Sequence, residues 1–408
     1  MRATPVRRPS RWRVGFLLPR TLVACIVLDA LLRFAPVGWR PMEAGEAEVR
    51  HRIQGEAFAR NLHIESSAAY GDLARIGNFR ELREYRSYSF TTDEHGFRKG
   101  RRGSAAVAVV FGDSFAQAGR DGETLADQLA QVIGCDVYNA AGPDAGFQNP
   151  EAPLVTSITT RIPLRNGYVI VERLERLFQG KKNSPETQES SSLGALVGDV
   201  FDLAVRRIPG VWRIARIMEN VKERTGSSPL KVIAERAFLV LKDDRILPNS
   251  YSGNVVKATL SNGDWMLFYP EELATYEQRW PVDISYWTSV APAFEKIGLT
   301  LVVVLVPNKY SVYHMLLADP PPVAVEPGEL LQRAEAQLRA AGIIVVNLTR
   351  PLELAAAQDV ERHEYLYWRD DTHWNERGVA IAAAEIARRV PGLRQACASA
   401  GRPGKSRH

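Results

Sequence analysis

The uncharged run AVAVVF at residues 106–111 does most to limit what this chain can fold into. Ala105 to Phe111 is apolar and rich in valine, and a strand with one wet face would alternate instead. Such a run suits a strand buried on both faces of a parallel sheet. The segment 300–313, TLVVVLVPNKYSVY, repeats the signature and is stopped by Pro307. YVIVE (168–172) and IIVVN (343–347) read as further strands, and CDVYNAAG (135–142) as one that ends in small residues. Helical spacing lies between them, with Leu125, Leu129 and Ile133 on one face of 123–133, and with helical stretches at 283–297, 328–341 and 376–390. Strand–helix–strand alternation predicts an α/β fold, a three-layer α/β/α sandwich around a mostly parallel sheet.

The run at 106–111 ends in Gly112-Asp113-Ser114-Phe115. Open α/β sheets put their ligands at the tips of such strands. Ser114 is therefore either a nucleophile or the N-cap of the helix that follows. Asp113 is expected to hold the turn through side-chain-to-backbone hydrogen bonds. A serine nucleophile needs a base, and the base needs an orienting acid. Among the seven histidines, His373 stands out, in WRDDTHWNERG (368–378). Asp370 and Asp371 precede it by three and two residues, and either carboxylate could fix one imidazole tautomer. Asn375 is a good N-cap for the closing helix.

The net charge of +5 is placed unevenly. Residues 1–40 hold eight arginines and a single acid, Asp29, so the rest of the chain is close to neutral. This pattern speaks for a membrane-proximal basic segment and against nucleic-acid binding. The apolar stretch Leu22–Leu32, with its flanks, is expected to form a single membrane anchor with the body outside the cytoplasm. A cleaved signal peptide and an amphipathic or buried helix are the alternatives. Residues 41–87 read as a stalk and 88–392 as the catalytic domain, with an insertion at about 179–282. The insertion combines a polar loop (180–192), an amphipathic helical stretch (193–226) and a hairpin marked by Asn262-Gly263. Residues 393–408 read as a disordered basic tail. The three cysteines, Cys25, Cys135 and Cys397, suggest neither a disulfide framework nor a metal site, and Cys135 reads as a small buried hydrophobe.

Several blocks together resemble the SGNH (GDSL-like) hydrolases and acyltransferases, in that family's order. TTDEHGFR resembles the segment before the first strand in membrane-anchored bacterial members. VVFGDSF looks like the block that carries the nucleophile, and VYNAAGPDAG like the block whose glycine lends a backbone N–H to the oxyanion hole. DDTHWNERG looks like the block that supplies acid and base. VVLVPNKYSVY, GIIVVNL and DTHWN are further similar to the SGNH-like domains of the alginate O-acetyltransferase group, whose Asp-x-His-Trp motif favours Asp371 over Asp370. Two departures stand out. The serine here precedes Asp-x-His-Trp, whereas in that group it usually follows. The family's third-block Asn is also missing, and YVIVERLERLF offers Glu172, Arg173, Glu175 and Arg176 in its place.

The resemblance implies a catalytic Ser114, His373 and Asp371, with an oxyanion hole from the backbone N–H groups of Ser114 and Gly142, Gly146 being the alternative to Gly142. Trp374, Lys309 and Tyr313 are candidates for lining the substrate cleft, each with core packing as the competing role. The implied activity is serine-dependent O-acetyl transfer or ester hydrolysis on a cell-surface or exported polysaccharide, with no cofactor or metal. The implied location is the inner membrane, single-pass, with the domain facing the periplasm beside a membrane-bound partner that delivers acyl groups. The rival expectation is an inactive SGNH-like scaffold or glycan-binding component of a polysaccharide assembly system.

Overall fold

The computed structural model describes residues 12–32, 61, 63–69, 71–77, 79–100, 106–117, 120–142, 149–150, 152–162, 164–178, 230 and 255–400. Its strands are β1 (His63–Ala69), β2 (Arg86–Thr91), β3 (Ala106–Phe111), β4 (Val137–Asn139), β5 (Leu164–Leu174), β6 (Val256–Thr259), β7 (Trp265–Phe268), β8 (Thr300–Val306) and β9 (Ile344–Asn347). The apolar runs become one parallel sheet of five strands in the order β4-β3-β5-β8-β9. Every residue of β3 is buried, as a strand covered on both faces requires. Alternate residues serve opposite layers. Val110, Ile170, Val302 and Val304 pack toward the helices Leu125–Ile133, Thr349–Asp359 and Glu376–Arg389. Val109, Val171, Val303 and Leu305 pack toward Ala152–Arg161, Ser285–Lys296 and Glu329–Ala340. This is the expected α/β/α sandwich.

β3 lies between β4 and β5, so the winding changes direction at the β3–β5 boundary, the place where open α/β sheets take their ligands, at the C-terminal strand ends. Ser114 follows β3 at that edge, and Glu172 to Arg176 occupy the end of β5 and the turn after it.

The expected hairpin forms from β6 and β7, with Gly263 at φ 86° in its turn, a value that favours glycine. The amphipathic stretch 193–226 and the loop 180–192 lie outside the described residues.

Two boundaries differ from the sequence reading. Residues 63–87, assigned to a stalk, belong to the folded body. β1 and β2 pair antiparallel, and Leu73, Ala74 and Phe79 pack on Val255 and Leu267 beside the hairpin. The tail, expected to be disordered from 393, is helical over Gly392–Ala400, and Leu393 is buried. A helix also forms over Trp12–Leu32, but it contains Arg13, Arg20 and Asp29, and no described helix is long and apolar enough to cross a membrane.

Cys135 is not an isolated buried hydrophobe. It forms a disulfide with Cys397, across a Cα–Cα distance of 5.7 Å and a sequence separation of 262 residues. The bond ties the C-terminal helix to the start of β4. Closing so long a loop restricts the unfolded chain, so Cys135→Ser is expected to cost about 2–4 kcal/mol. Urea midpoints of wild type and variant, each with and without reductant, check this. Reductant should destabilise only the wild type.

Candidate active site

The turn after β3 is shaped by close approach. A Cβ on Gly112 would sit 2.7 Å from Glu172 Oε2 and 2.8 Å from the Ala116 Cβ, so glycine alone fits. Asp113 holds the turn as expected: its Oδ1 accepts from the Phe115 N–H at 2.8 Å. The Asp113 N–H donates to Glu172 Oε2 at 3.2 Å. Burial, with Asp113 beside it, pushes the Glu172 carboxyl well above its ordinary range, which favours a neutral acid under the turn.

Ser114 emerges from this turn half-buried, with Oγ 2.7 Å from His373 Nε2. On the other side of the ring, Nδ1 lies 2.6 Å from Asp371 Oδ1, which also accepts from the His373 backbone N–H at 3.1 Å. The Phe115 ring lies 4.6 Å from the imidazole, centre to centre. The His373 side chain keeps 27% exposure, so it is not sealed in the core. Burial opposes the imidazolium, but Asp371, with Asp72 and Asp113, outweighs it and raises His373 to about 9. Burial likewise works against the Asp371 carboxylate, but His373 and Arg86 hold it far below the usual range.

The loop that carries Asp371 and His373 is tied down from three sides. Tyr367 and Trp374 form a β-bridge across it, and Asn375 caps the following helix by accepting from the N–H groups of Arg377 and Gly378. Lys309 supports it from below. Arg86 grips it from the N-terminal segment, with Nη1 2.9 Å from Asp370 Oδ1, Nη2 2.5 Å from Asp371 Oδ2, and the guanidinium over the Trp368 ring. Asp370 is thus an anchor: its Oδ2 accepts from Gly71 N–H at 2.7 Å and Glu84 N–H at 2.9 Å. Of the two candidate carboxylates, Asp371 is the one against the imidazole.

The three residues proposed to line the cleft are core residues. Trp374 is fully buried, and its Nε1–H donates to the Phe115 carbonyl at 2.7 Å. Tyr313 is fully buried, and its hydroxyl accepts from the Leu366 N–H. The Lys309 ammonium is fully buried among the carbonyls of Leu267, Trp368, Arg369 and Asp371. Gly142 differs too. Its N–H donates to the Gly112 carbonyl at 2.9 Å and so fastens the ends of β3 and β4 instead of facing an oxyanion. Gly146 lies outside the described residues.

At the position of the missing Asn, Glu172 and Glu175 are buried and the two arginines half-buried. Glu175 accepts from Asn308 N–H, Tyr276 OH and Ser311 Oγ, so it belongs to a polar network inside the fold. Arg173 donates to the Asn149 side chain and the Leu177 carbonyl, and Arg176 lies 3.6 Å from Glu272, over the Phe115 ring.

Asp72 and Arg86 escaped the sequence reading. They lie about three hundred residues before the histidine loop, in a polar stretch of mixed charge that reads as a stalk. The faint signal was Gly71: a Cβ there would fall 1.9 Å from the Asp370 carbonyl, so the glycine marks a close approach. Among the described residues, Asp72, Asp371 and His373 are the group whose ligand atoms lie close enough to hold a metal ion. Here those atoms are engaged with one another and with Thr372 and Arg86.

Residues 259–405 match the family described as "SGNH hydrolase-like domain, acetyltransferase AlgX". Over that stretch the chain is similar to the alginate O-acetyltransferase group, as its motifs indicated. A probable alginate O-acetylase AlgJ of Pseudomonas syringae pv. tomato is 33% identical over 135 residues, which cover 31% of this chain and 33% of that protein. Its counterpart from Pseudomonas putida is 30% identical over 130 residues, 31% of this chain and 32% of that protein. The chain therefore spans about a third of the length of these curated relatives. Among solved structures, the salicylyl-acyltransferase SsfX3 from a tetracycline biosynthetic pathway matches at 12% identity with a TM-score of 0.27, over 74% of this chain and 59% of that chain. A likeness of that size carries no argument.

Proposed function

We propose that this protein is a serine-dependent O-acyltransferase that moves an acetyl group onto an exported polysaccharide, with Ser114, His373 and Asp371 as its catalytic residues. The observation that carries this reading is the continuous chain Ser114 Oγ–His373 Nε2 at 2.7 Å and His373 Nδ1–Asp371 Oδ1 at 2.6 Å. Nε2 of neutral His373 takes the Ser114 proton as Oγ attacks the acyl carbonyl. Collapse of the tetrahedral intermediate breaks the bond to the donor's leaving group, which takes the proton from His373. An acceptor hydroxyl then gives its proton to His373 and attacks the acyl-serine. The product ester leaves, and Ser114 regains its proton. The Ser114 backbone N–H is the oxyanion donor of this scheme, since Gly142 is committed to Gly112.

The acetyl group and the polysaccharide are suggested by the names of the relatives. The disulfide supports an oxidising compartment such as the periplasm. The arginine-rich start and the exposed Val23, Ile26, Val27, Leu28 and Leu31 of the N-terminal helix support attachment to a membrane, beside a partner that supplies acyl groups.

The test supplies the full chain with an acetyl-ester donor, with and without an acetyl-free acidic polysaccharide, and measures free acetate and polymer-bound acetyl. Polymer-bound acetyl that depends on Ser114 supports the proposal. Acetate release that the polymer leaves unchanged makes the protein an esterase and overturns the transfer step. Polymer binding without any turnover favours a scaffold.

A further inference from the structure

The imidazole of His373 faces two carboxylates. Besides Asp371, Asp72 Oδ2 lies 3.8 Å from His373 Nδ1. Asp72 is held in place by the residue between the two: the Thr372 N–H donates to Asp72 Oδ1 at 2.8 Å, and Thr372 Oγ1 donates to Asp72 Oδ2 at 2.6 Å. Thr372 Oγ1 itself is 3.2 Å from His373 Nδ1. The Asp72 side chain is about a quarter exposed, at 26%, so it lies at the rim of the site and not in the core.

We propose that Asp72 is a positioning residue for the catalytic histidine, a second carboxylate that shares the imidazolium charge with Asp371 and fixes the His373 loop through Thr372. This rests on the catalytic role of His373 proposed above. The groups facing Asp72 are Asp371 and His373 from the loop, Tyr269 and Glu272 from the segment after β7, and Lys309 from below. Arg86 and Asp370 flank Asp371 on its far side. Arg86 occupies Oδ2 of Asp371, which leaves Oδ1 for the histidine. Arg86 thus draws charge away from the Asp371–His373 pair, and Asp72 restores negative charge at the Nδ1 edge. Burial and Asp371 lift Asp72 to about 6, so it is ionised in the alkaline range where His373 titrates.

The role separates from simple loop packing through Asp72→Asn. The amide keeps an oxygen for the Thr372 N–H and nearly the same shape; it removes the charge and puts an NH2 donor where Oδ2 accepted from the Thr372 hydroxyl, which can turn to accept instead. The decisive measurement is an NMR titration of the His373 ring nitrogens in the full chain, uniformly labelled at histidine. It needs no turnover, so it stands even if the acyl-transfer reading fails, and that failure would appear separately as turnover indifferent to Ser114. In Asp72→Asn the His373 titration should move down by at least half a pH unit. Asp72→Asn/Asp371→Asn should lose at least tenfold more turnover than Asp371→Asn alone. An unshifted titration in Asp72→Asn overturns the proposal. Should that variant not fold, the wild-type titration decides. A second inflection in the ring shifts near pH 6, as Asp72 protonates, supports the role, and a single inflection overturns it.

Discussion

Ser114→Ala and His373→Ala are each expected to lower acetyl-ester turnover by at least about 10⁴-fold, with the fold intact. The two losses should match, because serine and histidine act as one unit in proton transfer. Among the described residues, the hydrogen-bond partner of Ser114 Oγ is His373 Nε2 at 2.7 Å, so either substitution breaks the same proposed step. The serine is only half-buried, and its methyl replacement removes one hydrogen bond, to Nε2 of a His373 that is itself only half-buried. Circular dichroism and urea midpoints should therefore stay near wild type. The pH profile carries independent information. Only neutral His373 can accept the serine proton, and its neighbours raise it to about 9. At neutral pH most of the free protein carries the imidazolium, so kcat/KM should climb with pH toward about 9 and flatten above it. Hydrolysis of a chromogenic acetyl ester between pH 6 and 10 checks both points. Equal turnover in wild type and Ser114→Ala would remove the nucleophile from the scheme, and a profile already flat at pH 7 would remove the charged resting histidine.

What the sequence made visible follows from distance along the chain. The five strands of the sheet were legible because burial favours short apolar, valine- and isoleucine-rich runs, a local property of the residues themselves that shows even where a run ends in a charge such as Glu172. Asp371 and His373 were legible because acid and base are two residues apart and share a loop. Asp72 and Arg86 were not, since they meet that loop from a segment about three hundred residues earlier, and nothing local distinguishes it from a stalk. The Cys135–Cys397 pair was hidden for the same reason: a separation of 262 residues leaves no spacing signature. Lys309, Tyr313 and Trp374 stayed open between cleft and core for a different reason. Each has an apolar body with a polar end, so the residue type fits both a cleft and a core, and only the fold decides. Gly142 shows a third limit, since a glycine N–H in the right motif is an oxyanion donor only if no carbonyl has already taken it.

Lys309→Met is expected to destabilise the fold by about 3–5 kcal/mol. The Lys309 ammonium is fully buried, and its Nζ lies 2.7 Å from the Leu267 and Trp368 carbonyls, 2.9 Å from that of Asp371 and 3.1 Å from that of Arg369. An ammonium has three N–H donors, so one is shared between two acceptors, and the Arg369 carbonyl has the longest contact. Burial lowers Lys309 to about 8, against the pull of Glu272 and the aspartates, so the group stays mostly charged at neutral pH. Methionine would fill nearly the same volume and satisfy none of these carbonyls. Each buried acceptor left alone costs about 1–3 kcal/mol, and removing the cation also takes one positive charge from the buried Glu272 carboxyl, which keeps Arg176 and the Tyr310 N–H. The damage reaches catalysis because three of the four carbonyls belong to the loop that presents Asp371 and His373. A shift of about 1 Å in that loop is enough to lower turnover roughly 100-fold. The measurement is a urea unfolding curve together with acetyl-ester turnover at a temperature where the variant is fully folded. A midpoint unchanged from wild type would mean that the carbonyls find other donors. Lost stability with full turnover would mean that Lys309 supports the core but not the position of the histidine loop.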